Sequence, residues 1–359
     1  PTLAEQGFVR RGKARRAFGL NPNDSIADSL RAQGFTEDAV NRFDTRHELN
    51  APLDLGPFRV TPSAVGRVTL YDNEFEDFSP DETDRERFWA AAGVTVATSL
   101  VKVDNEVESD AWDLHRIRHI IEPSVSVWHG ETTVDRADLP VYDDGVESLL
   151  EGTQYRFAID QTWQTYRGGP GRWRSVDWIE LDTEIVLSSE SDEDRESPIG
   201  RYVEYRPEYS NAGDYFTLDA IWQVSDAFTI GGQTIYDFDA SQQARTSAGM
   251  VLQHSREFST FAEVRFINPE DSTYIDMGVR QRITPKYQTA VSGSYDVNED
   301  DFARINFELR RSFPNAELGF GVSHNRISDQ TSFNFILSPV GLGQSLRFRD
   351  VSNGGPLGG

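Results

Sequence analysis

Apolar and polar residues alternate along successive segments of about ten residues, and the polar positions include charged side chains in mid-segment. The clearest segment is 301–312, in which two sets alternate: Ala303, Ile305, Phe307 and Leu309 against Arg304, Asn306, Glu308 and Arg310. A repeat of two residues places one face of a β-strand in an apolar environment and the other in a polar one. Strands of soluble sandwiches average about five or six residues, whereas tilted strands that cross a membrane need about 9–11. The pattern therefore favours an antiparallel transmembrane β-barrel.

The segmentation predicts about fifteen or sixteen strands, of which 201–210 has the weakest pattern. They are 44–52, 57–71, 88–104, 113–129, 153–167, 173–189, 201–210, 214–224, 227–238, 243–254, 257–268, 272–283, 286–297, 301–312, 315–324 and 330–338. In 243–254 the apolar face includes Ala244, Met250 and Leu252. The chain thus has the fold class of an all-β, antiparallel transmembrane β-barrel, and we expect these strands to form part of a larger barrel.

The connections between strands support a membrane barrel. Tight turns such as 284–286 and 313–315 alternate with longer acidic loops at 72–87, 130–152 and 190–200, as in bacterial outer-membrane proteins. Aromatic residues recur near strand ends, where we expect them to form girdles at the two membrane interfaces. They are Trp163, Tyr166, Trp173, Trp178, Tyr215, Phe228, Tyr236, Phe238, Tyr287, Phe302 and Phe313. The predicted location is the bacterial outer membrane.

Composition excludes several classes of protein. The hydrophobic fraction is 37% and the mean hydropathy is −0.54, and no run approaches the roughly 20 apolar residues of a membrane helix. A net charge of −24 argues against nucleic-acid binding, because the basic footprint that phosphate contacts require is missing. The chain has no cysteine, which excludes disulfides and thiolate chemistry.

The two ends of the chain differ from the strand-rich part, 44–338. Residues 1–43 carry a basic cluster from Arg10 to Arg16 and a helix predicted to start near Ser25 and to end near Ala39. This segment is either an inter-strand loop with a helical insert or a contact for anionic lipid head groups. Residues 339–359 form a glycine-rich C-terminal tail. The opening Pro1 indicates a removed signal or, as we favour, a fragment of a longer chain.

No grouping of residues predicts catalysis, a metal or a cofactor. His115 and His119 are four apart, but in a strand this separates them by about 13 Å, too far for a zinc pair. The pairs Ser323–His324 and His254–Ser255 lack the context of a hydrolase site. We therefore expect no enzymatic activity.

The charges in mid-strand are predicted to face the barrel lumen. They are Arg245, Glu263, Arg265, Arg280, Arg282, Arg304, Glu308, Arg310 and Glu317. Either they form the salt-bridged polar interior that any large barrel needs, or they line a path for an anionic saccharide or phosphate group, since guanidinium pairs with carboxylate and phosphate alike.

Several ordered motifs resemble the LptD family of lipopolysaccharide-assembly barrels, also called organic solvent tolerance proteins. They are 43–52, His119–Pro123, Arg282–Val297 with its Tyr295-Asp296 ending, Phe302–Phe313, Ala316–Ser323 and Ser332–Ser338 followed by Val340–Gly343. Each motif is degenerate, and the resemblance lies in their order over most of 43–345. The family's periplasmic domain and first barrel strands are not visible, and its cysteine pair near 313–315 is missing.

The resemblance implies a translocon that inserts lipopolysaccharide into the outer leaflet through a lateral opening. It also implies a plug lipoprotein of the LptE type inside the barrel, periplasmic bridge proteins and contact with outer-membrane lipid. One side of the opening would be the last strand, with Phe333, Asn334, Phe335, Ile336 and Leu337, and Pro339 would weaken pairing just after it. The alternatives are a general porin and a soluble all-β binding protein.

Overall fold

A computed structural model describes residues 41–72, 85–134, 144–147, 149, 151–189, 202, 213–268, 272–298, 300–326 and 330–339. These residues form one antiparallel sheet and a single short helix, α1 (Asp144–Glu147). The strands are β1 (Arg42–Asn50), β2 (Leu53–Leu55), β3 (Phe58–Tyr71), β4 (Glu86–Thr98), β5 (Leu100–Ser109), β6 (Leu114–Thr132), β7 (Gly152–Arg167), β8 (Arg174–Ser188), β9 (Tyr215–Trp222), β10 (Phe228–Asp237), β11 (Gln242–Gln253), β12 (Phe258–Ile267), β13 (Ser272–Thr284), β14 (Tyr287–Asp296), β15 (Asp301–Ser312), β16 (Ala316–Asn325) and β17 (Gln330–Pro339).

Two of the seventeen segments in the described residues continue the strand before them, because a proline interrupts the ladder opposite the break. Both β1 and β2 pair with β3, and the break between them lies opposite Pro62, whose nitrogen has no hydrogen to donate. Both β4 and β5 pair with β6, and their break at Ser99 lies near Pro123. Counting each pair once leaves fifteen strands, so the predicted number is confirmed.

The sheet is a meander in which each strand pairs with its neighbours in the chain. Among the described residues, no ladder joins β17 to β1 or β2, and the sheet is open at this seam. Because fifteen successive antiparallel strands put the first and last in the same direction, a direct ladder between β1 and β17 would be parallel.

The sheet has an apolar outer face and a polar inner face, the reverse of a soluble protein. On β4 the outward Phe88 is 47% exposed, while Arg87 and Trp89 on the opposite face are buried. On β15 the outward-facing residues Ile305 and Phe307 are exposed, and they alternate with the inward-facing Arg304 and Asn306 as predicted. A sheet that exposes its apolar face and covers its charged face is built to meet lipid.

The connections differ at the two ends of the sheet. Short turns such as 285–286 and 313–315 join strands at one end, and long connections such as 133–151 and 189–214 join them at the other. With the apolar outer face, this asymmetry makes the chain a transmembrane β-sheet of the bacterial outer-membrane type. No helix within the described residues is both long and apolar enough to span a membrane.

Two predicted outward positions were wrong. Tyr215 was assigned to an aromatic girdle, but its side chain is fully buried on the inner face. Ala244 was assigned to the apolar face of its strand, but it packs beside Tyr215. A β-bulge where Ile235 and Tyr236 meet Arg245 and Gln243 adds a residue, which reverses the alternation at this end of β11. The predicted helix in 1–43, most of strand 201–210 and the tail after Pro339 lie outside the described residues.

Candidate functional site

Residues 144–147 and 149, from the connection between β6 and β7, pack on the inner wall of the first strands. Helix α1 ends at Glu147, a fully buried carboxylate. Arg42 Nη1 of β1 donates to Glu147 Oε1 at 2.6 Å, and the Tyr71 hydroxyl of β3 donates to the same oxygen at 3.0 Å. Arg87 of β4 donates to the backbone oxygens of Val146 and Glu147 at 3.0 and 3.1 Å. Three strands thereby hold one turn of the loop.

An apolar cluster continues this contact. Leu149, two residues after α1, packs with Val65, Ala91 and two tryptophans, Trp89 and Trp128, whose rings are 5.5 Å apart. Burying such large side chains stabilises the docked loop by about 1.5–3 kcal/mol each. The inner wall of β3, β4 and β6 is therefore covered rather than open to the lumen.

A second inward contact, made by the single described residue Tyr202, lies on the wall of β7–β11. Tyr202, from the connection between β8 and β9, packs with Val186, Tyr215, Ile235 and Ala244. The Arg156 guanidinium lies 5.6 Å from the centre of the Tyr202 ring. Arg156 Nε also donates to Glu184 Oε2 at 2.6 Å, and both side chains of this ion pair are buried.

The predicted lumen residues of β11–β13 lie together on the inner face. Arg265 Nη2 lies 2.7 Å from Asp276 Oδ2 and 3.5 Å from Glu263 Oε2. Glu263 is buried and stands opposite Gly249 of β11, next to the inward-facing Arg245. This group is a compact, charge-balanced network, as expected of a salt-bridged interior.

The remaining predicted lumen residues lie on the wall of β13–β16, which none of the described loop residues covers. Arg280, Arg282 and Arg304 are exposed, and Arg310 is paired with Glu308 of its own strand. Glu317 accepts a hydrogen bond from Ser312 at 3.0 Å. In the next row along the inner face, Ser323 donates to Asn306 Oδ1 at 2.7 Å, and the Asn306 amide donates to the Ser292 hydroxyl at 3.3 Å. The inner face of the last strands is thus polar and exposed to half-buried.

The predicted gate strand is the free edge of the sheet. Phe333, Phe335 and Leu337 of β17 lie opposite Val322, Phe320 and Leu318 on the outer face, and Phe335 is 74% exposed. Asn334 and Ile336 alternate with them, opposite Gly321 and Gly319. In a membrane, an apolar edge with unpaired backbone groups requires a partner such as a further strand, because lipid tails cannot hydrogen-bond those groups.

The histidines do not form a site. His119 stacks on Trp163 with ring centres 4.2 Å apart, whereas His115 meets Trp173 and lies 3.4 Å from Glu108. Ser323 and His324 turn to different partners, Asn306 and Thr331, and His254 contacts Thr260. Within the described ranges, no group of three or more His, Asp or Glu residues could hold a metal ion.

Sequence reasoning missed the contacts of both inward loops. Glu147 lies in a generally acidic loop, so its sequence context does not distinguish it from solvated neighbours. The available signal was the flanking Val146 and Leu149, which are apolar residues in an otherwise polar connection and therefore candidates for burial. Tyr202 carried a similar signal that the prediction of a strand at 201–210 obscured.

No protein-family model and no curated protein matches the chain. Solved structures that resemble it include a KdgM porin, with 11% identity, a TM-score of 0.28, and coverage of 52% of this chain and 92% of that one. A mutant of Rh. blastica porin has 10% identity, a TM-score of 0.39, and coverage of 84% of this chain and 99% of that one. Function is therefore inferred from the chain's own residues.

Proposed function

We propose that the chain is an outer-membrane channel that lets hydrophilic solutes pass along its charged inner wall. One observation carries the proposal: behind a lipid-facing outer surface, the inner wall of β13–β16 is polar and exposed. A sheet that served only as a membrane anchor would not need arginines on an uncovered inner face. A charged guanidinium is costly away from water, so these arginines indicate that water or a polar solute reaches the inner wall. The covered wall of β1–β11 narrows the passage on the opposite side.

Reconstitution into a planar lipid bilayer tests this function. The folded protein should give discrete conductance steps. Glu147→Ala should give larger or noisier steps, because the loop then loses its bonds to Arg42 and Tyr71. A matched control is Glu131→Ala, since Glu131 is an exposed carboxylate at the end of β6 that does not contact α1. Protein that is folded, as judged by its heat-modifiable mobility on gels, and yet never conducts would contradict the proposal.

Insertion of lipopolysaccharide into the outer leaflet is the second candidate. It is supported by the resemblance of 282–343 to LptD-type barrels and by the apolar β17, which pairs with β16 on one edge and with no described strand on the other and could border a lateral opening. In that case a plug lipoprotein and periplasmic bridge proteins would be partners, and Phe333–Leu337 would line the exit.

Depletion in cells separates the two functions. A lipopolysaccharide translocon should be required for surface lipopolysaccharide, so depletion should lower the surface signal while total lipopolysaccharide persists. A solute channel should instead change the uptake of small hydrophilic molecules with surface lipopolysaccharide unchanged. Substituting Phe335→Ser should affect export much more than solute uptake if β17 borders the exit.

A further inference from the structure

The outer face of β11–β15 carries an apolar groove of about 560 Å³, a volume typical of sites that hold small ligands. Small residues lower the surface there, because Ala262 and Gly293 stand opposite Met277 on either side of β13. Larger apolar side chains form the rim, and they are Met250, Leu252, Met277, Val279, Val291 and Ile305. Since this face meets lipid, the groove is open to acyl chains.

An arginine, Arg311 of β15, lies on the same outer face at the short-turn end of the sheet. Its guanidinium carbon lies 5.3 Å from the centre of the Tyr287 ring and 4.5 Å from the centre of the Phe313 ring. Both rings belong to the predicted aromatic girdle, where the head groups of lipids begin. The two cation–π contacts therefore hold a positive charge at the level of the head groups.

No described carboxylate balances this charge on the outer face. Arg311 is exposed and forms no ion pair with any described residue. Its partners across the two ladders, Tyr287 and Leu318, are uncharged, and the turns 285–286 and 313–315 contain no acid. The glutamates of β15 and β16 occupy the alternate positions that face inward. The guanidinium is therefore available to an anion from the lipid.

The groove and Arg311 are spaced as the two ends of one lipid require. Tyr287, the partner of Arg311, and Val291, at the rim of the groove, are four residues apart on β14, or about 14 Å. One leaflet contributes about half of a hydrocarbon core that is about 30 Å thick. Because short turns face the periplasm in outer-membrane proteins, this lipid would lie in the inner leaflet.

We propose that Arg311 and the groove bind one anionic phospholipid of the inner leaflet, with its phosphate on the guanidinium and an acyl chain in the groove. A guanidinium presents parallel N–H donors that match two oxygens of a phosphate, and charge-assisted bonds of this kind are strong. Phosphatidylethanolamine would bring an ammonium for which this face offers no carboxylate, so the site should prefer phosphatidylglycerol. The site does not depend on whether the inner wall conducts solutes.

Native mass spectrometry of the protein released from detergent micelles tests the head-group end. The probes are phosphatidylglycerol and phosphatidylethanolamine with the same dioleoyl chains, and the wild-type protein should retain phosphatidylglycerol in preference. Arg311→Gln should weaken that retention about tenfold, the equivalent of about 1.4 kcal/mol, because a charge-assisted bond is lost. The matched control is Arg59→Gln, since Arg59 is an exposed arginine at the same end of the sheet that pairs with Asp54. It should leave retention unchanged.

Filling the groove tests the acyl-chain end. Ala262→Leu should weaken retention of both lipids severalfold, because the added side chain takes the space of the acyl chain. The matched control is Ala92→Leu, which adds the same atoms to the outer face of β4, away from the groove. Both variants keep the outer face apolar and should fold, as judged by heat-modifiable mobility on gels.

Two results would overturn the proposed head-group site. They are equal retention of the two lipids by the wild-type protein, and retention of phosphatidylglycerol that Arg311→Gln does not weaken. Dimers that Ala262→Leu disrupts, with no lipid retained, would assign the groove to a second copy of the chain and would also overturn the proposal.

Discussion

The two halves of the sheet treat their inner walls differently. In β1–β11, loop residues such as Glu147, Leu149 and Tyr202 pack on the wall, and the ion pairs Arg156–Glu184 and Arg42–Glu147 lie beneath or within these contacts. In β13–β17 the wall holds exposed arginines and a hydrogen-bonded row of Ser292, Asn306 and Ser323. The same alternation therefore produces a packed inner wall in β1–β11 and an exposed polar inner wall in β13–β17.

This difference shows that alternation decides which face a charge occupies but not what the charge does there. A buried ion pair contributes only while both partners remain, because an uncompensated buried charge is costly. An exposed charge interacts with water and solutes, so its removal changes stability little and selectivity more. The covered half should therefore respond to mutation through stability, and the uncovered half through transport.

Breaking the Arg156–Glu184 pair should have the largest effect. Arg156→Gln leaves the buried Glu184 carboxylate without its guanidinium and removes the contact with the Tyr202 ring. We expect the protein to lose about 3–5 kcal/mol of stability, measured by urea unfolding in lipid vesicles.

The matched substitution in the uncovered half is Arg282→Gln. It should change stability by no more than about 0.5 kcal/mol, since Arg282 is exposed. Equal losses of stability in Arg156→Gln and Arg282→Gln would show that the inner walls of the two halves do not differ in how they respond to mutation.

A charge on the lipid-facing side of β15 tests the assignment of faces. Phe307→Arg places a guanidinium on the outer face near mid-strand and should cost about 2–4 kcal/mol in vesicles. Its neighbour Asn306 faces the lumen, so Asn306→Arg should cost far less. If Asn306→Arg is the more harmful substitution, the inner and outer faces are reversed.

A glycine in each half reports how tightly its surroundings are packed. A Cβ at Gly278 would lie 2.4 Å from Phe261 Cε1 and 2.7 Å from the Val291 carbonyl oxygen. Because that backbone oxygen cannot move aside cheaply, Gly278→Ala should cost about 1–3 kcal/mol. A Cβ at Gly66 meets nothing within 4 Å, so Gly66→Ala should be close to neutral in the same unfolding measurement.

The sequence predicted strands, their number and most of their facing, because the period of two is a local property that a membrane environment enforces along each strand. It placed Arg280, Arg282 and Arg304 on the inner face, where the structure has them. It failed at Ala244 and Tyr215, where a bulge and an inward-folding loop decide the environment. Neither effect leaves a periodic signal.

The site was less predictable than the fold for a related reason. The bond between Arg42 and Glu147 joins residues 105 apart in the chain, and no local pattern links them. The paired or unpaired state of Arg265 and Arg282 likewise depends on cross-strand neighbours, so the sequence left both interpretations of the lumen charges open. The strand register seen in the structure shows which charges lie next to a partner and so separates the two interpretations.

Acidification should have the smallest effect, and it should act at the long-loop end of the covered half. Asn41 donates its side-chain and backbone N–H groups to Asp72, which lies just after β3, and these bonds hold the pKa of the Asp72 carboxyl below its usual value. A lowered folded-state pKa means that the contribution of this carboxyl to stability is complete above the unfolded pKa of about 3.9 and is lost as the pH falls through the folded value.

The stability difference between the wild-type protein and Asp72→Asn should therefore be present at pH 7 and shrink below about pH 4. Asn41→Ala, which removes one donor and keeps the carboxyl, should reduce the same pH dependence, and an identical difference at both pH values would show that this contact does not fasten β1 to β3.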